Sequence, residues 1–194
     1  MTVSSSVFFV AKNPVTSHCF DFAIRSLRAA EIQIDRIWGR PAVSGSPAFV
    51  KAEHEDILID IHFYFIALRN LYRYLHKVVA DPAFKQFEND VENLSNTWFK
   101  HYAKGREAFE HIDQRFAGEK HEDKLVAVSD GGTPRKIHYG LSLRDGVFKH
   151  SDLSFDISRD QFLLIKNEVE VLISEIIDSS NKSRALCHSS SVSH

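Results

Sequence analysis

The stretch from Ile57 to Pro82, ILIDIHFYFIALRNLYRYLHKVVADP, decides the fold. Its apolar residues recur alternately four and three positions apart, a spacing that places them on one face of an α-helix. The row consists of Ile57, Ile61, Phe65, Leu68, Tyr72, Leu75 and Val79. Upstream, Ser46 and Pro47 supply an N-cap and a first-turn proline. We therefore predict a helix over residues 47–79.

The same spacing continues after Asp81 and Pro82, which predict that a third helix begins as soon as the second ends. Its apolar row is Phe84, Phe87, Val91, Leu94, Trp98, Tyr102, Gly105, Phe109, Ile112 and Phe116, and Gly118 is expected to end it. Two long helices joined by two residues must lie antiparallel, as in a helical bundle. Gly105 falls on the buried row, where we expect another backbone, from this chain or a second subunit, to approach closely.

Two further helices are predicted on either side of this pair. The first covers residues 17–38 and ends at Gly39 and Pro41, with an apolar face of Phe20, Ile24, Leu27, Ile34 and Ile37. The last begins at the capping box of Ser158 and Gln161 and extends to about Ile177. Its apolar face is Phe162, Ile165, Val169, Leu172, Ile173 and Ile176.

Between the third and last helices, from about residue 124 to 157, the apolar residues alternate instead of following helical spacing. This pattern, with turns at SDGGTP and RDG, predicts two or three antiparallel strands. The predicted fold is thus mainly α: a four-helix up-down bundle with two long helices and a small antiparallel β-meander before the last helix. Residues 1–178 form one domain, and the serine-rich residues 179–194 are predicted to be a disordered tail.

Composition narrows the class of protein. The 194 residues carry a formal net charge of -2, which argues against capture of nucleic acid by overall charge but permits a local basic groove. The two cysteines, Cys19 and Cys187, lie near opposite ends, so we expect no disulfide framework and a reducing compartment. The N-terminus lacks the features of a signal peptide, and no apolar run reaches the roughly 20 residues of a membrane span. We expect a cytoplasmic protein without membrane contact.

The segment REAFEHIDQRF, Arg106 to Phe116, contains the most motif-like group of polar residues. A helical bundle in which an arginine is followed by a polar residue and then, four to six positions after the arginine, by a histidine resembles the HEPN superfamily of helical nucleotide-binding and ribonuclease domains. Arg106, Glu107 and His111 carry the resemblance. It implies RNA cleavage without a metal or other cofactor, in a cleft formed by a homodimer. His111 would act as general base or acid, and Arg106 would stabilise charge on the phosphate.

Two features of the segment favour a different interpretation. At 100° per residue, Arg106 and His111 project about +100° and about -120° from Gly105, on opposite flanks of the buried row. Glu107 also departs from the neutral polar residue that the family favours. The charged residues of this segment can instead form surface ion pairs between positions four apart. Both interpretations stay open from the sequence.

The segment RNLYRYLH of the second helix offers a second candidate site. His62, Arg69, Arg73 and His76 are spaced seven, four and three apart, which places them on one basic ridge beside the apolar row. Such a ridge can bind phosphate or RNA, with Tyr72 and Tyr74 nearby for base stacking. Alternatively, the ridge pairs with acidic residues of a neighbouring helix.

The sequence shows no motif for a metal site, for nucleotide binding or for a serine hydrolase. The chain contains no Glu-x-x-His of a diiron bundle, and HEDILIDIH offers only His54, Asp56, Asp60 and His62, so we predict no metal site. Walker, dinucleotide-binding and nucleophile-elbow motifs are absent. Two functions follow as hypotheses: an HEPN-like homodimer that binds or cuts RNA, or a non-catalytic helical interaction protein.

Overall fold

The computed structural model describes residues 11–39, 47–110, 126–128, 135–137, 142–144, 146–150 and 153–190. Four helical stretches form the bundle, and short antiparallel strands precede the last of them. The predicted fold class is confirmed. All four helical stretches are long, however, because the first and last extend further than their apolar rows suggested.

The first two helices, α1 (Pro14–Gly39) and α2 (Pro47–Val79), pack side by side in antiparallel orientation. Phe22 stacks on Tyr74 with 5.1 Å between ring centroids, whereas Arg36, further along α1, pairs with Asp60, earlier in α2. Ser46, predicted as the N-cap of α2, lies outside the described residues.

Of the five apolar residues predicted to form the buried face of α1, four are buried and Ile24 is not. Ala23 and Ala30 are fully buried, and their small side chains let the two helices approach closely. Ile24 remains 40% exposed because the buried row passes through its neighbour Ala23. The prediction that Ile24 faces the core is therefore wrong.

The third helix, residues 82–110, starts where the sequence predicted. The Asp81 side chain accepts a hydrogen bond from the Ala83 backbone N at 3.0 Å, as an N-cap residue does. Its other carboxylate oxygen accepts from Thr16 Oγ1 at 2.6 Å, which ties the start of the third helix to the start of α1. The helix opens with a 3₁₀ turn, Pro82–Phe87, and continues as α3, Glu88–Leu94.

A π-helical segment, Ser95–Phe99, then interrupts the α-helical geometry before α4, Lys100–Glu110. A π-turn inserts one residue into the helical repeat and so shifts the faces of the residues that follow. Phe99 consequently occupies the core, 2% exposed, where it contacts Tyr72. Trp98, which the regular spacing placed on the buried row, is only partly buried. Residues 111–118, the predicted end of this helix, lie outside the described residues.

The described residues that follow include five short strands, where two or three were predicted. They are β1 (Val126–Val128), β2 (Arg135–Ile137), β3 (Ser142–Arg144), β4 (Val147–His150) and β5 (Leu153–Asp156). The first two form one antiparallel sheet and the other three a second.

The predicted turn at RDG is confirmed as a tight hairpin between β3 and β4. Gly146 has a φ of 83°, a conformation that glycine adopts without steric cost. Its carbonyl oxygen accepts from the Ile157 backbone N at 2.8 Å, which holds the hairpin against the start of the last helix.

A cluster of aromatic rings joins the second sheet to the bundle. Phe65 of α2 lies 5.0 Å from Phe155 and 6.1 Å from Phe148, and it also packs on Tyr102 of α4. These rings are almost completely buried. The sheet is therefore part of the same core as the helices.

The last helix, α5, spans Arg159–Ser190. Ser158 Oγ accepts from the Gln161 backbone N at 3.2 Å, which confirms the cap, while the Ser158 backbone N donates to Asp156 Oδ1 at 2.9 Å in place of the predicted Gln161 side chain.

The chain stays helical beyond the predicted end of this helix at Ile177. The structure describes residues 179–190 as part of this helix, where a disordered tail was predicted, and residues 191–194 lie outside the described residues. Ser180 is buried, and Ser179 Oγ accepts from Gln86 Nε2 at 2.9 Å, so the first serines have structural roles.

Candidate functional site

The four ridge residues of α2 lie on one face of a continuous helix. Arg69, Arg73 and His76 are exposed, and His62 is partly buried. Neither Arg69 nor Arg73 has an ion-pair partner within the described part of the chain. The two arginines are one helical turn apart on one face of α2, so each can contact a different phosphate of a nucleic acid backbone.

The C-terminal end of the ridge contacts the third helix. His76 Nε2 lies 3.8 Å from Glu92 Oε1, so this histidine is placed to pair with an acid, as the alternative interpretation of the ridge predicted. The two tyrosines are also engaged: Tyr72 packs against Phe99, and Tyr74 stacks on Phe22. The anion-binding capacity of the ridge is therefore concentrated at Arg69 and Arg73.

At the other end of the ridge, partial burial lowers the pKa of the His62 imidazole, because removal from water disfavours its charged form. An unfolded histidine takes up a proton near pH 6.5. Below that pH the unfolded chain binds more protons than the folded one, so stability falls as the pH falls.

We therefore expect wild-type protein to lose stability relative to His62→Gln as the pH falls below about 6.5, since glutamine cannot take up the proton. Urea titrations at several pH values measure this. His18→Gln, at an exposed position of α1, reports the effect of removing a solvent-facing imidazole. Parallel pH profiles for wild type and His62→Gln would contradict the prediction.

The residues of the HEPN-like motif are only partly described. Arg106 is partly buried on α4 and Glu107 is exposed, whereas His111 lies outside the described residues. The neighbouring Gly105 is buried, and a Cβ added there would lie 2.8 Å from Phe65 Cε2. Within the chain, the close neighbour of Gly105 is thus the Phe65 ring of α2 and not another backbone, and the approach of a second subunit stays a prediction.

The buried carboxylate of Asp60, one of the residues considered for a metal, pairs instead with Arg36 Nη2 at 3.2 Å. Within the described residues, no group of three or more histidine, cysteine or acidic side chains is arranged to hold a metal ion.

A second polar region, not predicted from the sequence, lies between the third helix, the second sheet and the start of α5. Trp98, His101 and Tyr102 face Ser154, Asp156 and Gln161 across a cleft of about 320 Å³. These residues come together from four elements. The only signal in the sequence is the aromatic-rich segment WFKHY, Trp98–Tyr102, and regular helical spacing assigns part of it to the core.

Comparison of the chain with protein-family models, with curated proteins and with solved structures gives no match. Of the helices that the structure describes, none combines the length and the apolar character needed to cross a membrane.

Proposed function

We propose that this chain is an HEPN-like RNA-binding domain whose ridge on α2 binds the phosphate backbone. One observation carries the proposal: Arg69 and Arg73 are exposed on one helical face and have no acidic partner among the described residues. Buried or paired arginines would be structural, whereas adjacent unpaired ones are suited to bidentate contacts with phosphates.

The catalytic part of the proposal comes from the resemblance alone. In it, His111 acts as general base or acid on the ribose 2'-hydroxyl and the leaving oxygen, and Arg106 stabilises phosphate charge in a homodimeric cleft. Glu107, exposed beside Arg106, would repel phosphate, which disfavours both binding and cleavage at this motif and leaves RNA binding to the α2 ridge. The setting is cytoplasmic.

We expect Arg69→Ala/Arg73→Ala to weaken binding of a fluorescently labelled RNA by roughly tenfold or more at low salt. Loss of two phosphate contacts should also lower the slope of log affinity against log salt, by about 0.7 per contact for a single strand. Fluorescence anisotropy over a salt series measures both. The control is Arg25→Ala/Arg28→Ala, which removes the same charge from α1. Equal weakening by both pairs would contradict a specific ridge.

The cleavage step has a separate test. Wild-type protein is incubated with structured RNA in EDTA, and the proposal expects products that disappear in His111→Ala. Cleavage that persists in both Arg106→Ala and His111→Ala would remove this site from consideration while leaving the binding result intact. Light scattering of the same samples reports whether the active species is a dimer.

A second candidate function, a non-catalytic interaction protein, has its own supporting observation. Three large apolar side chains of α5, Leu163, Leu164 and Val171, are 50%, 53% and 59% exposed. Exposed apolar groups of this kind mark protein contact surfaces when they are contiguous. Failure of RNA binding in wild-type protein would favour this function.

A further inference from the structure

The cleft between the third helix and the second sheet has walls that are fixed by hydrogen bonds. Trp98 Nε1 donates to Glu168 Oε2 of α5 at 2.8 Å, which holds the indole ring at the rim. The Tyr102 hydroxyl donates to the backbone carbonyl of Asp156 at the strand end. A ligand would therefore meet a largely preformed surface.

The position of Trp98 follows from the π-helical segment. In an uninterrupted α-helix its ring would continue the buried row after Leu94, but the inserted residue gives that place to Phe99. π-turns of this kind within α-helices occur frequently at functional sites. Here the distortion brings an aromatic ring out of the core to the wall of a polar cleft.

The His101 ring forms another wall and has a defined orientation. It lies 4.8 Å from the Phe155 ring, and Nε2 is 2.9 Å from the Ser154 backbone oxygen. Because a carbonyl oxygen only accepts, Nε2 carries the proton and donates. Nδ1 of the neutral ring is then an acceptor.

The remaining polar groups determine which ligand fits. Asp156 contributes a carboxylate, of which Oδ1 already accepts from the Ser158 backbone N. Gln161 adds an amide, and among the described residues that line the cleft there is no lysine or arginine. A carboxylate beside an indole face suits a cation, and a planar guanidinium can stack on the ring while it donates several hydrogen bonds.

We propose that this cleft binds a guanidinium group, with Asp156 as its anionic partner and Trp98 as its stacking surface. The group belongs either to a small free molecule or to an arginine side chain of a peptide. No residue of the α2 ridge lines this cleft, so the site is independent of the proposed RNA contacts.

Nuclear magnetic resonance of the full chain tests the proposal directly. The protein contains two tryptophans, Trp38 and Trp98, so a ¹⁵N correlation spectrum has two indole signals, which Trp98→Phe assigns. The probes are methylguanidine, a free guanidinium with no other charged group, and a blocked Gly-Arg-Gly peptide. The neutral control is the matching peptide with citrulline in place of arginine.

We expect at least one guanidinium probe to shift the Trp98 signal in a saturable way, while the citrulline peptide leaves it in place. Tighter binding of methylguanidine indicates a small molecule, and tighter binding of the peptide indicates a protein partner. No shift with either cation, or an equal shift with citrulline, would overturn the proposal.

The variants sharpen the test. Asp156→Asn keeps an oxygen that can cap Ser158 but removes the charge, so it should weaken binding about tenfold or more. Asp160→Asn, an exposed acid that does not line the cleft, is the matched control and should bind as wild type does. Arg69→Ala/Arg73→Ala should also leave binding unchanged. Equal affinities of Asp156→Asn and wild type would rule out the assigned role of Asp156.

Discussion

Gly105→Leu should destabilise the protein by about 3 kcal/mol, and Gly105→Ala by about 1 kcal/mol even though alanine is the better helix former. The reason is Phe65, whose Cε2 and Cδ2 would lie 2.8 and 2.9 Å from an added Cβ. That ring is fully buried among Phe148, Phe155 and Tyr102 and cannot move aside without disturbing them. Chemical denaturation followed by circular dichroism measures the loss.

A matched control is Gly39→Ala at the end of α1, where the nearest atom to an added Cβ is Arg159 Nη2 at 3.9 Å. This substitution should be neutral or slightly stabilising, because it only restricts the unfolded chain. A second check combines Gly105→Ala with Phe65→Leu, whose costs should be less than additive since the smaller side chain leaves room for the new methyl group. An unchanged stability of Gly105→Leu would show that the ring can relocate.

The sequence predicted those parts of the fold that depend on local chemistry. Asp81 with Pro82, and Ser158, mark helix starts because their side chains cap the first turn, whatever packs around them. The reciprocal bond expected from Gln161 failed because Asp156, two residues before Ser158, reaches the same N–H first. Capping patterns therefore predict a hydrogen bond correctly unless another side chain nearby accepts from the same N–H.

The spacing of apolar residues predicted burial and helix ends less well where tertiary contacts override it. The interchange of Trp98 and Phe99 needs a π-turn, for which SNTWF carries no recognisable signal. The exposure of Ile24 follows from the burial of its smaller neighbour Ala23, since close helix packing selects for small side chains. The helical serines after Ile177 are likewise supported by contacts with residues distant in the chain, such as Gln86.

The two candidate sites also differ in whether local sequence patterns could predict them. The α2 ridge was predictable because all four residues belong to one helix and its period fixes their direction. The cleft was not, since His101 and Ser154 meet across 53 residues and Trp98 and Glu168 across 70. Sites assembled from several elements need the fold before they can be recognised.

The ion pair between Arg36 of α1 and the buried Asp60 of α2 provides the second large expected effect. Asp60 is 0% exposed, and Arg36 Nη2 lies 3.2 Å from its Oδ1. Arg36→Met keeps most of the apolar stem but leaves a carboxylate in the core without this cation. We expect a loss of about 2–3 kcal/mol, below the range for fully buried pairs because half of the Arg36 side chain is exposed.

The control for that substitution is Arg28→Met on the same helix. Arg28 is 74% exposed and lies 3.7 Å from Glu31, so its removal should cost less than about 1 kcal/mol. If the loss in Arg36→Met comes from removal of the cation beside the buried Asp60 carboxylate, then Arg36→Met/Asp60→Asn should be more stable than Arg36→Met alone, because a neutral amide costs less free energy to bury than a carboxylate. Urea denaturation of the four proteins, wild type and the three variants, measures these differences in stability. It separates the loss of charge pairing at Asp60 from the loss of other contacts. A double variant that is less stable than Arg36→Met would show that Asp60 stabilises the helix pair through contacts other than Arg36.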